Sequence, residues 1–218
     1  MKKKLLIFDL DGTLMNTLKD LNVATNYALK KYNYEPRTLE KTRKDIGNGV
    51  AMLIARSIPY GMDNPNYKEC LANFKAYYKA HYFENTFPYE KVKETLTILK
   101  TKGYLLAVVS NKFDEGAKKL VTYYLPNLFD RIQGSLPELG LGYKPDPDLV
   151  NKVLKELKID NKDALYIGDT EVDYQTAINS KLDVVMVSYG YRDREVLEKV
   201  TKNSPIIDSI DELINILE

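Results

Sequence analysis

The sequence predicts an α/β fold: a parallel sheet core with helices on both faces, interrupted after its first strand by a small helical domain. Three observations predict it. The apolar run Leu5–Phe8 reads as a buried strand near the start of the sequence. From 15 to 84 no segment reads as a strand, and helical spacing dominates. Beyond Pro88, short apolar runs alternate with helical patterns, the signature of strand–helix–strand units and a parallel sheet.

Each element follows in order. Leu5-Leu6-Ile7-Phe8 is apolar throughout, as a strand covered on both faces should be. It runs directly into Asp9-Leu10-Asp11-Gly12-Thr13. In an extended backbone Asp9 and Asp11 share a side; alternatively Asp11-Gly12 is the turn of a hairpin. Residues 17–32 carry apolar side chains at helical spacing, with Thr17 and Asp20 spaced as a capping box. Helices are expected at 39–44 and 50–58, joined by the glycine-flanked turn Ile46-Gly47-Asn48-Gly49-Val50. Breakers make 59–65 a loop, and 67–82 is a helix rich in Tyr and Lys. A helix over 89–102 ends at Gly103. The apolar run 104–109 is too short for a helix and reads as a buried strand. Helix 114–124, a short strand at Arg131-Ile132, helix 147–157, strand 164–167, helix 171–179 and strand 184–187 follow. Ser209 and Glu212 have capping-box spacing for a last helix. The expected division is a Rossmann-like core of residues 1–14 and 85–218, with a helical domain at 15–84.

Composition narrows the function. Lys+Arg 32 against Asp+Glu 31 leaves a formal net charge of +1, with no global field for nucleic acid or an anionic membrane surface. The 17 tyrosines have no basic stripe beside them and read as packing residues, not as a base-stacking platform. One cysteine, Cys70, excludes an internal disulfide framework, fits a reducing compartment and reads as a core filler. The only histidine, His81, falls on the Tyr/Lys helix and reads as a surface or boundary residue. The basic head Met1-Lys2-Lys3-Lys4 is followed by too short an apolar run for an export signal, and no stretch approaches the ~18 residues of a membrane span. The expectation is a soluble cytoplasmic protein, monomer or homodimer, with neither nucleic acid nor membrane as partner.

Polar residues recur where the strands end. The first strand ends at Asp9, the second at Ser110-Asn111, and a later one at Gly168-Asp169-Thr170 with Asp173 one helical turn on. Lys144-Pro145 lies in a loop before a helix. The C-terminal ends of parallel strands share one edge, where open α/β sheets place their ligands. Asp9, Asp11, Asp169 and Asp173 would meet there with Lys144, Ser110 and Asn111. Such a carboxylate cluster needs a cation, and oxygen-only ligands favour Mg²⁺ over zinc. A hydroxyl, an amide and an ammonium beside a metal suit a phosphoryl group. Singly, Ser110-Asn111 could cap a helix, Gly168-Asp169 could be a turn and Lys144 a solvated loop residue. Their arrival in order at successive strand ends favours one shared site.

The motifs Asp9-Leu10-Asp11-Gly12-Thr13, Ser110-Asn111, Lys144-Pro145-Asp146-Pro147 and Gly168-Asp169-Thr170-Glu171-Val172-Asp173 resemble, in order and spacing, the four signatures of the haloacid dehalogenase superfamily. The insertion at 15–84 resembles that superfamily's small helical cap. The resemblance implies that Asp9 is a nucleophile forming an aspartyl-phosphate, and that Asp11 is first general acid, then general base. It implies Mg²⁺ held by the Asp9 side chain, the Asp11 main-chain carbonyl and Asp169, with Asp173 supporting the metal or holding Lys144. Ser110, Asn111 and Lys144 would hold phosphoryl oxygens, and Thr13 would order the loop. Dehalogenases of the superfamily lack the second aspartate, so Asp11 points to phosphate hydrolysis.

For the substrate, a small phosphorylated metabolite, the turn at 46–50 is similar to the glycine-rich cap segment of phosphoglycolate phosphatases. Asp20-Leu21 and Ser110-Asn111-Lys112 fit the same branch. Gly47, Asn48 and Gly49 would then bind substrate, the glycines presenting main-chain N–H groups to a small carboxylate; a plain tight turn is the alternative. Arg56 could pair with that carboxylate or lie on an exposed helix face. Asn16 departs from the Asp that the family often carries there. Rival readings are a pyrophosphatase, a sugar- or nucleotide-phosphate phosphatase and, less favoured because Leu21 stands where a histidine is usual, a β-phosphoglucomutase. The phosphonate-cleaving branch needs a desolvated cap lysine, and nothing marks Lys19, Lys30 or Lys31 as one. Outside these, the chain could be a non-catalytic phosphate-binding regulatory module, or an interaction scaffold using its tyrosine-rich helices. A decayed module would be expected to have lost Asp9, Asp11 or Lys144.

Overall fold

The computed structural model describes residues 3–218. In chain order the elements are β1 (Leu5–Phe8), β2 (Met15–Asn16), α1 (Leu18–Lys30), α2 (Leu39–Asp45), α3 (Gly49–Ser57), α4 (Tyr67–His81), β3 (Phe87–Pro88), α5 (Val92–Thr101), β4 (Leu105–Phe113), α6 (Asp114–Tyr124), β5 (Arg131–Ser135), α7 (Asp148–Leu157), β6 (Ala164–Gly168), α8 (Glu171–Asn179), β7 (Asp183–Val187), α9 (Arg194–Val200), β8 (Ile206–Ile207) and α10 (Glu212–Leu217). They form two compact units. One is the chain up to Met15 together with Pro88–Glu218; the other is Asn16–Phe87.

The first unit is an α/β fold on a six-stranded parallel sheet of order β5-β4-β1-β6-β7-β8. β1 lies inside it, pairing residue for residue with 105–108 on one side and 164–167 on the other. Both faces of β1 are covered, which explains its unbroken apolar run; all four side chains are fully buried. After β1 the chain builds outward through β4 and β5, then returns to β6 beside β1 and proceeds outward again. The order therefore reverses between β1 and β6, where open sheets leave a crevice at the C-terminal strand ends. Among the helices, α7 buries Leu149, Val150, Val153 and Leu154, one stripe at helical spacing, in the cluster that also holds Ile7, Val109 and Tyr166.

β4 does not stop at Val109 but runs on to Phe113. Its pairing with β5 shifts there: Val109 faces Gln133 and Phe113 faces Ser135, so Ser110-Asn111-Lys112 bulge out against a single residue of β5. β2, β3 and β8 have two residues each, too few to show a period in sequence.

The second unit is helical, with α1 packed mainly on α4. Leu21, Ala24, Ala28 and Leu29 of α1, and Cys70, Phe74 and Tyr78 of α4, are buried. The capping box expected at Thr17 and Asp20 does not form. Asp20 is buried and turns instead to the chain leaving the unit. It accepts from Asn85 N at 3.0 Å, Asn85 Nδ2 at 2.8 Å and Thr86 Oγ1 at 2.8 Å. Asn16 Oδ1, rather than Thr17, accepts from Leu18 N at the helix start. Asp20→Ala should therefore cost about 2–3 kcal/mol, because it orphans buried donors. Urea denaturation measures this, and a loss within about 0.5 kcal/mol would mean that water replaces the carboxylate. At the other end of the chain, Glu212 Oε1 accepts from Ser209 N at 2.8 Å, forming half of the expected box. No helix among the described residues is long and apolar enough to cross a membrane.

Candidate active site

Asp9 follows β1 directly and keeps the ladder to β6, its N–H donating to Ile167 O at 2.9 Å. The extended backbone ends there. Leu10 O accepts from both Leu14 N and Met15 N, and Gly12 has φ +98°, a left-handed conformation that disfavours a side chain. A Cβ on Gly12 would also stand 2.2 Å from Asp169 Oδ2, so the loop needs glycine on both counts.

The two aspartates of this loop meet different lysines. Lys144 Nζ lies 2.7 Å from Asp9 Oδ1 and 2.7 Å from Asp173 Oδ1, with both Lys144 and Asp9 buried. Toward Asp9 Oδ1 the contact is an ion pair off the hydrogen-bond direction, and among the described residues that buried oxygen has no hydrogen-bond partner. Lys112, carried on the β4 bulge, donates from Nζ to Asp11 Oδ1 at 3.1 Å. Ser110 Oγ, also buried, accepts from Lys112 N at 3.1 Å and shapes the bulge. Asn111, expected to face a phosphoryl oxygen, has its amide engaged on the Lys144 main chain. Its Oδ1 accepts from Lys144 N at 2.8 Å and its Nδ2 donates to Lys144 O at 3.1 Å.

On the β6 side, Asp169 is fully buried. Its Oδ1 accepts from Thr13 Oγ1 at 3.0 Å and its Oδ2 from Tyr191 N at 2.8 Å. Asp173 sits one turn into α8 and completes a capping box with Thr170. It accepts from five donors: Lys144 Nζ, Tyr166 OH, Asp169 N, Thr170 N and Thr170 Oγ1. A carboxylate offers about four lone-pair sites, so Asp173 is fully occupied, whereas Asp169 accepts one bond at each oxygen.

Electrostatics follow from burial. Desolvation pushes the Asp9 carboxyl up to about 7; Lys144 opposes this, while Asp173 and Asp11 add to it. Asp169 is raised well above the ordinary carboxylate value by burial, then by Asp173 and Asp9. Burial alone would lower Lys144, but Asp173 and Asp9 outweigh it and hold the ammonium well above an ordinary lysine. One carboxylate oxygen each of Asp9, Asp169 and Asp173 lie within 4.8 Å of one another. Clustered buried oxygens that resist sharing their negative charge, one of them lacking a hydrogen bond, fit a hard divalent cation such as Mg²⁺.

The strand ends thus bring Asp9, Asp11, Ser110, Asn111, Lys144, Asp169 and Asp173 into one unit. Gly47, Asn48 and Gly49 belong to the helical unit. There Arg56 ties the turn, donating from Nη1 to Asp45 O at 2.7 Å and from Nη2 to Asn48 Oδ1 at 2.8 Å. His81 stacks on Tyr77 at 4.2 Å, with Nδ1 2.6 Å from Glu84 Oε1, and Cys70 is buried in the helical core. The sequence reading does not single out Lys112 as the partner of Asp11, and it misses Tyr166 and Tyr191. By pattern Tyr166 belongs to an apolar strand, yet its hydroxyl accepts from Lys144 Nζ at 3.2 Å and donates to Asp173 Oδ1 at 3.3 Å. A tyrosine on an inner strand was the available signal, since its buried hydroxyl must find partners. Tyr191 acts through its main-chain N–H, which no residue type could announce.

A family model described as haloacid dehalogenase-like hydrolase matches residues 6–187. A phosphoglycolate phosphatase of Haemophilus influenzae (strain 86-028NP) is 32% identical over 226 residues, covering 98% of each chain. One from Aquifex aeolicus (strain VF5) is 33% identical over 193 residues, covering 86% of each. A crystal structure from Lactobacillus delbrueckii subsp. bulgaricus, whose phosphoglycolate phosphatase name is itself provisional, superposes with TM-score 0.92 at 31% identity, covering 100% of this chain and 99% of its own. The motif-bearing strand ends and these likenesses agree: this chain belongs to the haloacid dehalogenase-like hydrolases.

Proposed function

We propose that the protein is a Mg²⁺-dependent phosphatase that hydrolyses a small phosphomonoester through an aspartyl-phosphate, with 2-phosphoglycolate as its substrate. The observation that carries the chemistry is Asp9, a buried carboxylate at the sheet's reversal point, with a lysine on one oxygen and a second aspartate two residues on. Asp9 attacks phosphorus; the ester P–O bond breaks and Asp11 gives its proton to the departing alkoxide. Water then attacks the same phosphorus, Asp11 takes its proton, and the acyl-phosphate P–O bond breaks to release phosphate and restore Asp9. Lys144 and Ser110 hold phosphoryl oxygens as charge gathers on them. Asn111 acts one step back, fixing the main chain of Lys144.

Asp9 and Asp169, with lone pairs to spare, would hold the metal together with the Asp11 main-chain carbonyl. Asp173, fully engaged, holds Lys144. Bound Mg²⁺ supplies charge neutralisation between the anionic nucleophile and the phosphoryl group. The substrate rests on the likeness to named phosphoglycolate phosphatases over nearly the whole chain. Contacts from Gly47, Asn48 and Gly49 to its carboxylate rest on the sequence resemblance. A buried lone cysteine fits a reducing, cytoplasmic setting.

Phosphate release by the purified protein, with and without Mg²⁺, tests this. The panel is 2-phosphoglycolate, pyrophosphate, several sugar phosphates and nucleoside monophosphates. Metal-dependent preference for 2-phosphoglycolate is expected. Preference for another member keeps the mechanism and replaces the substrate, and no turnover on any would favour a regulatory phosphate-binding module.

A further inference from the structure

We propose that the loop after β7, residues 188–192, is a positioning element that fixes Asp169 against the 9–13 loop and so preforms the metal site. This rests on the reading of Asp169 as a metal ligand. No motif marks this stretch, yet it touches the site on three sides. Tyr191 N donates to Asp169 Oδ2 at 2.8 Å, while Thr13 Oγ1 holds the other oxygen. Tyr189 OH donates to Thr13 O at 2.9 Å, joining the loop to the residue that holds Asp169. Arg192 clasps Glu171 through Nε at 2.8 Å and Nη2 at 2.9 Å, tying the loop to the first turn of α8.

Gly190 sits at the centre of these anchors. A Cβ there would stand 2.4 Å from Gly12 O and 2.5 Å from both Asp169 Cβ and Asp169 Oδ2. The loop therefore lies directly on the nucleophile loop and on Asp169 at once, with no room for a side chain. Any side chain at 190 must push the loop away and pull Tyr191 N from Asp169, or displace Asp169 itself. The two oxygens of Asp169 are oriented by groups from two separate segments, 13 and 191, which the Tyr189 hydroxyl bridges. Partners of this kind, one bond behind a metal ligand, set its direction and the affinity of the site.

The test is Mg²⁺ binding by isothermal titration calorimetry to the whole protein, comparing wild type, Gly190→Ala and Tyr189→Phe. Gly190→Ala is expected to bind Mg²⁺ about tenfold or more weakly, and Tyr189→Phe to weaken it by a smaller factor. Both should need more Mg²⁺ for half-maximal phosphate release. A folded Gly190→Ala with wild-type Mg²⁺ affinity overturns the proposal, even if it melts at a lower temperature, because the loop would then be only structural. If Gly190→Ala does not fold, Tyr189→Phe decides: unchanged affinity overturns the proposal and weakened affinity supports it. The calorimetry is independent of turnover, so a wild type that binds Mg²⁺ without releasing phosphate would refute the phosphatase reading and leave this inference standing.

Discussion

Asp9→Asn is expected to lower turnover by about four orders of magnitude or more, while the protein folds as well as before or better. The asparagine keeps the shape but cannot form an acyl phosphate. Its effect on stability has the opposite sign to that of most buried polar changes. Burial first, then Asp173 and Asp11, raise the Asp9 carboxyl from 3.8 to about 7 against the pull of Lys144. A carboxyl whose pKa is raised on folding costs stability once the unfolded chain ionises. In metal-free buffer that cost grows as pH climbs from about 4 to about 7, and then levels off. Asparagine carries no such cost. Melting curves in EDTA from pH 4 to 8 should therefore show wild type losing ground to the variant as pH rises. Unchanged turnover would remove Asp9 from the nucleophile's role, and parallel melting profiles would show that water reaches its carboxylate.

Lys144→Met should be the most destabilising single change at the site, by about 3–5 kcal/mol in urea denaturation, with loss of measurable turnover. The ammonium lies 2.7 Å from each of two buried carboxylates, and the tyrosine hydroxyl beside it also gives it a partner. Removing it leaves Asp9 and Asp173 facing each other without a cation. Adding Asp9→Asn to Lys144→Met should recover part of the loss, since only one buried charge then remains, so the pair should be non-additive. A cost below about 1 kcal/mol for the single change would mean that the pocket is wet.

The outline of this site was legible because its chemistry falls where a strand pattern stops. Asp9 and Asp169 each follow an apolar run, and parallel topology brings such ends together; Lys144, in a loop before a helix, was legible through its Lys-Pro motif. What was hidden depends on contacts that sequence spacing does not encode. The Ser110-Asn111-Lys112 bulge needs two strands in register before it exists, so the apolar run alone stops at Val109 while the strand continues to Phe113. Asp20 fits a local cap by spacing, but the three donors at 85–86 that its buried carboxylate meets outnumber the single amide of a local cap. Tyr166 was masked by the apolar company it keeps, and Gly190 by having neither side chain nor motif.

Asp173 caps the start of α8 with one oxygen and carries Lys144 with the other. Fraying of that helix end would therefore strip the lysine of one of its three partners, leaving Asp9 and the Tyr166 hydroxyl, at the cost of a local opening and not of the stability of the whole domain. The setting of Lys144 is thus coupled to the first turn of a single helix. Under the proposed reaction a substitution of Asp173 would act twice, once on the helix end and once on turnover, and a chain that had abandoned the reaction would still have a structural reason to keep the residue.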